Sequence, residues 1–145
     1  MISVEKVTDK FRQLDEFLAI LKGIGSEPLG TFLQNKVLIG SAKYYLQVSI
    51  ECCLDIANHI IAAEGFRPPK DYADCFKVLE EQTILNEKQG TKLRQMAKFR
   101  NRLVHLYGEI DDAYVHEFMN KDLQDIVVFK AVIAAKFLTH QNKPK

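Results

Sequence analysis

Apolar positions at the start of the chain fall at Val4, Val7, Phe11, Leu14, Leu18 and Leu21, in alternating steps of three and four. That spacing predicts an amphipathic helix with a narrow buried seam. The run ends at GIGSEPLG, where Gly23, Gly25 and Pro28 break it. A second predicted helix covers about residues 31–64. It is apolar nearly all round through VSIECCLDIANHIIAA, so it should be central and packed on several sides, with Gly65 as its C-cap. Asp71 can cap a short third helix, YADCFKVLEEQ. Asn86 opens a fourth, and Gly108 is placed to end it. Asp111 or Asp112 starts a fifth that reaches roughly Thr139, with IVVFKAVIAAKFL buried, and the tail HQNKPK should fray. No window alternates like a strand, and the connections are short. The expected fold is all-α: an antiparallel up-and-down bundle of about five helices, forming one domain over residues 1–145.

The predicted second helix carries one polar stripe. Glu51, Asp55 and His59 sit four apart on an otherwise apolar element. Desolvating a lone carboxylate is expensive, so the stripe predicts a cationic partner, which the fourth helix can supply. A stripe that simply faces solvent is the alternative.

Charge distribution sharpens this. A chain of 145 residues with 47% hydrophobic and 27% charged content is an ordinary globular sequence, and its net charge of +1 gives no global pull on nucleic acid. Locally, Lys88, Lys92, Arg94, Lys98, Arg100 and Arg102 occur with no acid among them, whereas six acids between Glu109 and Asp125 face only Lys121. Arg94, Lys98 and Arg102 are spaced to track a phosphate backbone, or to form a solvated helix face. Three cysteines, Cys52, Cys53 and Cys75, show no metal or redox spacing and read as free, buried thiols of a reducing cytosol. The N-terminus lacks a signal core, and no apolar run is expected to reach membrane-spanning length, so the expected location is cytoplasmic. No glycine-rich phosphate loop, metal triad or Ser–His–Asp set is present, and no cofactor is expected.

The distinctive stretch is KFRNRLVHLYGEID, which places Arg100, Asn101, Arg102, His105 and Tyr107 at a helix end. Asn101 and His105 project from nearly the same side; Arg100 and His105 are about 140° apart and roughly 7.5 Å apart along the axis. A bent arginine could still border one cleft with the imidazole. Histidine titrates near neutrality and can take or give a proton at a ribose or leaving oxygen. Arginine binds phosphate bidentately and offsets charge that grows on it, while asparagine can position either. Metal-free RNA cleavage by the 2′-hydroxyl fits that set. One histidine does not easily perform both proton transfers, and a two-fold dimer would bring a second. The structural alternative is a polar helix end, with basic groups on the dipole and Arg100 paired to the second-helix acids.

Arg100, Asn101, His105 and Tyr107 match, without substitution, the R-N-x-x-x-H-x-Y motif. The stretch RNRLVHLYGEID therefore resembles the HEPN-domain ribonuclease toxins, the HepT-like group of HEPN/MNT toxin–antitoxin systems. The preceding SIECCLDIANHIIA with Pro68 and Pro69, FKVLEEQTIL and LRQMAKFRN are similar to that family's helices, and the resemblance covers roughly residues 5–135. It implies a metal-independent endoribonuclease that acts as a homodimer, with both motifs lining the cleft between subunits. RNA would be the substrate, tRNA being one option. It also implies a small nucleotidyltransferase (MNT) antitoxin that transfers AMP to the motif tyrosine, here Tyr107. Phosphates placed beside Arg100 and His105 would repel RNA. Two other readings stay open: a non-catalytic module that presents substrate to a nucleotidyltransferase, and a structural dimer joined through the seam from Val4 to Leu21.

Among the remaining residues, Met96 and Phe99 fit the buried face of the fourth helix, and Tyr44 and Tyr45 are expected to pack rather than stack on bases. His116 and His140 are expected to be exposed.

Overall fold

The computed structural model describes residues 1–138, and it is all-α. The helices are α1 (Val4–Gly25), α2 (Leu29–Leu33), α3 (Lys36–Glu64), α4 (Tyr72–Glu81), α5 (Glu87–His105), α6 (Asp112–Lys121) and α7 (Leu123–Ile133). A 3₁₀ turn, Tyr107–Glu109, joins α5 to α6, and a π-helical turn, Ala134–Leu138, continues α7. Thr139, His140 and the tail lie outside the described residues.

Two predicted helices are each divided. The apolar period runs on across residues 31–64, but Asn35 takes an extended backbone and its side chain accepts hydrogen bonds from Val37 and Leu38 N–H, both at 3.1 Å. That cap restarts the helix and leaves α2 as a separate short element. The predicted fifth helix breaks at Asp122, where α6, packed on α1 and α2, gives way to α7, packed on α5. A heptad-like pattern does not register either break, because apolar residues on both sides of it remain inward-facing.

Side-chain pairings fix the antiparallel arrangement. Ser3 N–H donates to His59 Nε2 at 2.9 Å, Lys10 Nζ to Asp55 Oδ2 at 2.9 Å, and Phe17 meets Tyr45 at 5.7 Å, so α1 runs down α3 in the opposite sense. Its seam, with Val7, Phe11, Leu14 and Leu21 buried, closes the core against α3. The seam is thus occupied within the chain and is not a free interface. At the other end of α1, a Cβ on Gly25 would come within 3.2 Å of Met119 Cβ, so glycine permits the close approach of α6. The helix α3 is central, as predicted, packing on α1, α4, α5, α6 and α7. It is also long and apolar enough, by length and composition alone, to cross a membrane, contrary to expectation, but 56% of the qualifying window is buried by the other helices.

The start and end of α4 are tied down by Arg67, which leads from α3 toward it. Its guanidinium donates to Asp74 at 2.7 and 3.0 Å and to Glu81 at 2.7 and 2.9 Å. The three cysteines are free and buried, and burial pushes each thiol upward in pKa. Met96 and Phe99 are buried, the latter stacked on Phe118 at 4.6 Å. Tyr45 is half-buried against Phe17, whereas Tyr44 is 56% exposed, because its position on α3 lies outside the faces covered by α1 and α5. His116 is half-buried rather than exposed: Nε2 lies 2.7 Å from the Glu27 carbonyl and its ring sits 5.3 Å from Phe32, where α6 crosses α2.

Candidate active site at the end of α5

The helix α5 starts with a reciprocal capping box, Asn86 accepting from Gln89 N–H at 2.8 Å and Gln89 Oε1 from Asn86 N–H at 2.9 Å. Its inward face is Leu93, Met96, Ala97, Phe99 and Leu103. This places Arg100 at the border between the core and solvent, where its side chain is only 14% exposed.

The guanidinium is held on three sides. Nε and Nη2 donate to the same oxygen of Glu51, at 2.9 and 2.5 Å, and Nη1 donates to Asn101 Oδ1 at 3.3 Å. The Tyr72 ring lies against it, with a centroid distance of 4.8 Å. Gln47 adds a third donor to Glu51 Oε2 at 3.3 Å. The cationic partner predicted for Glu51 is therefore Arg100 of the predicted fourth helix. Asp55 behaves differently. It pairs with Lys10 of α1, and His59 accepts from Ser3, so α3 turns these two toward α1 and away from the motif. The expected network of Glu51 with Asp55 is reduced to Glu51.

His105 is the last residue of α5; it is exposed, and its imidazole makes no hydrogen bond among the described residues. Beyond it the chain leaves the helix at Leu106, and Tyr107 and Gly108 lie in the 3₁₀ turn, so Gly108 sits inside a turn rather than ending α5. Tyr107 is 47% exposed, and its hydroxyl lies near Gly40 of α3, 3.5 Å from where a Cβ there would be.

A residue that the sequence reading did not single out anchors this turn. Lys43 of α3, with a side chain only 6% exposed, donates to the Tyr107 carbonyl at 3.0 Å, lies 4.5 Å from the centre of the Tyr107 ring, and pairs with Asp112 at 3.0 Å. An ammonium buried to that degree needs such partners. The available signal was a lone lysine in the apolar run IGSAKYYLQVS.

The proposed phosphate-tracking stripe is shortened. Arg94 turns toward α4 and pairs with Glu80, with a second bond to Thr91 Oγ1 at 3.1 Å, while Lys98 and Arg102 are exposed. Among the described residues no group of three or more His, Cys, Asp or Glu side chains is placed to hold a metal ion.

The helical fold is shared with a known family. The profile described as Ribonuclease HepT-like matches residues 11–133. The chain belongs to the HepT-like ribonuclease family. Among relatives, the mRNA nuclease HepT of Shewanella oneidensis is 31% identical over 105 residues, covering 72% of this chain and 79% of that protein. The putative RNase YutE of Bacillus subtilis is 34% identical over 70 residues, about half of each chain (48% and 49%). A toxin–antitoxin complex crystallised with AMP-PNP superposes with a TM-score of 0.86 at 25% identity, over 91% of this chain and 99% of the other. The tri-AMPylated Shewanella oneidensis HEPN toxin, in complex with its MNT antitoxin, gives 0.84 at 26% identity, over 92% and 100%. This HepT-like chain thus shares its fold with HEPN toxins found beside MNT antitoxins.

Proposed function

We propose that the protein is the toxin of a HEPN/MNT toxin–antitoxin pair, a cytoplasmic, metal-independent endoribonuclease whose cleft forms between two copies of the chain. The observation that carries this is the pairing of a fixed cation with a free imidazole: Arg100 is locked in place by Glu51 and Asn101, and His105, about one turn further along, is exposed and unbonded. A pre-oriented guanidinium costs no reorganisation when phosphate charge grows, which is where electrostatic catalysis draws its strength. Arg100 uses three of its five N–H groups on Glu51 and Asn101, so donors remain for a phosphate oxygen.

In this reading the ribose 2′-oxygen attacks the adjacent phosphorus and loses its proton to one histidine. The bond to the 5′-oxygen breaks, and that oxygen takes a proton from a second acid, supplied as His105 of the second subunit. The products are a 2′,3′-cyclic phosphate and a 5′-hydroxyl. Lys98 and Arg102 hold the RNA backbone, with Arg94 contributing only to the local field. A minimal nucleotidyltransferase antitoxin silences the site by transferring AMP to Tyr107, which the Lys43 anchor presents half-exposed on the turn after α5.

The competing reading, a non-catalytic module that binds a nucleotidyltransferase, draws on the same Arg100–Glu51 pair, since a purely structural arginine is held in that way too. Cleavage of RNA by purified protein in EDTA separates the two. His105→Ala should lower the rate by about 100-fold or more with an unchanged helical spectrum. An undiminished rate in that variant would assign the role to the binding module.

A further inference from the structure

Beside Tyr72, whose ring lies against the Arg100 guanidinium, is a cleft of about 320 Å³ that Arg100 itself does not line; its walls include Asn58, Lys70, Asp71, Tyr72, Cys75 and Asn101. It falls at the lower end of the size range for small-molecule sites. None of its residues except Asn101 belongs to the motif, and Asn58 comes from α3, more than forty positions away in the chain.

The hydrogen bonding of the two carboxamides is informative. Asn101 Oδ1 accepts from Arg100 Nη1 at 3.3 Å; a guanidinium only donates, so the oxygen must face it. Asn58 Oδ1 accepts from the Cys75 thiol at 3.3 Å, and burial keeps that thiol protonated. Both oxygens are thereby committed to the protein. Both amide NH₂ groups have no partner among the described residues and remain for a ligand. Lys70 adds an ammonium with no side-chain partner among the described residues. Tyr72 has Arg100 against one face, lines the cleft that Arg100 does not, and is 46% exposed, so part of its surface is available there. An accessible aromatic ring beside two amide donors is the arrangement that takes an unpaired nucleobase.

We infer that this cleft is a nucleobase subsite: a base next to the scissile phosphate stacks on Tyr72 and accepts hydrogen bonds from the amides of Asn58 and Asn101. The stack then runs base, tyrosine ring, guanidinium, and sets the phosphate of that nucleotide beside Arg100. Two donors favour bases that present a ring carbonyl, so uracil and cytosine bind better than adenine. The subsite rests on the RNA-cleaving reading given above, and deepens it by giving the cleft a preference.

The test uses the full chain and labelled hexanucleotides of uridine, cytidine or adenosine with every 2′-hydroxyl methylated, read by fluorescence anisotropy. Methylation removes the nucleophile, so binding is read without cleavage. Wild type should bind the pyrimidine oligomers about fivefold more tightly than the adenosine one. Asn58→Ala should erase that difference, Tyr72→Ala should weaken all three by about tenfold, and Tyr72→Phe should bind like wild type. Unchanged binding in both Asn58→Ala and Tyr72→Ala, or no binding by wild type, overturns the subsite. The same oligomers with free 2′-hydroxyls separate the two readings. Wild type that binds with the preference yet leaves them intact keeps the subsite and sinks cleavage. Wild type that cleaves with a base profile identical to that of Asn58→Ala does the reverse.

Discussion

Arg67 and Arg100 both end on carboxylates, and the contrast between them separates a fastening from the proposed site. Arg67 is the more exposed, 38% against 14%, yet four of its five N–H groups are spent on Asp74 and Glu81, against three for Arg100. Its work is to fasten the segment after α3 onto both ends of α4. Arg100 is more enclosed but less saturated. It grips one oxygen of Glu51, touches Asn101 and lies on Tyr72. An arginine that is buried for orientation while keeping donors unspent suits a ligand that arrives later. Exposure alone would have ranked the two the other way round.

The sharpest way to break this comparison is to remove each arginine. Arg100→Ala should lower single-turnover RNA cleavage by about 100- to 1000-fold. It also leaves Glu51 half-buried without its partner, at a cost of about 1–3 kcal/mol in urea unfolding. Arg67→Ala should leave the cleavage rate within about twofold of wild type, since no motif residue touches it. Equal losses in both variants would mean that the distinction is wrong.

A second experiment addresses the lysine that anchors the turn. Lys43→Met leaves the Tyr107 carbonyl and Asp112 without their partner. It should destabilise the protein by about 3 kcal/mol, the low end for a broken buried pair because Asp112 is partly solvated. Adding Asp112→Asn should restore part of that in the same urea titration. AMP transfer to Tyr107, followed by intact mass, should slow in Lys43→Met and recover partly in Lys43→Arg. Transfer at the wild-type rate in Lys43→Met would separate the anchor from the modification.

The smallest effect is in acid. The Arg67 guanidinium holds the Asp74 carboxyl down at about 2 and lowers that of Glu81. Both folded values lie below the unfolded ones. Their stabilisation is therefore complete above about pH 5, and fades as pH falls through the ordinary carboxylate range toward 2. Both carboxylates are near the surface, so salt should weaken the effect. Thermal melts of wild type between pH 5 and 2.5 should fall more steeply than those of Arg67→Ala. Parallel slopes would show that the fastening contributes nothing to acid stability.

Much of the fold was legible because helical order is written locally. The steps of three and four from Val4 to Leu21, the helix start at Asn86 and the all-round apolar run of α3 each specify an element from adjacent residues. The two extra breaks are not legible in the pattern because Asn35 and Asp122 interrupt the backbone without interrupting the apolar face. In the site, the Glu51–Arg100 pair could be anticipated from the cost of a lone buried acid, but the partners of Asp55 and Arg94 could not. Which of several acids meets which of several bases depends on the rotation of each helix about its own axis.

The sequence by itself determined an all-helical chain, its family, and the group of Arg100, Asn101, His105 and Tyr107 at one helix end. The tertiary structure alone decided that Glu51 holds Arg100 while Asp55 turns to Lys10, that Arg94 is spent on Glu80, and that Lys43 reaches across 64 residues to anchor Tyr107. The reason is physical. Periodicity and caps act over one or two turns, whereas an ion pair between helices is chosen by which faces the packed core brings within about 3 Å of each other.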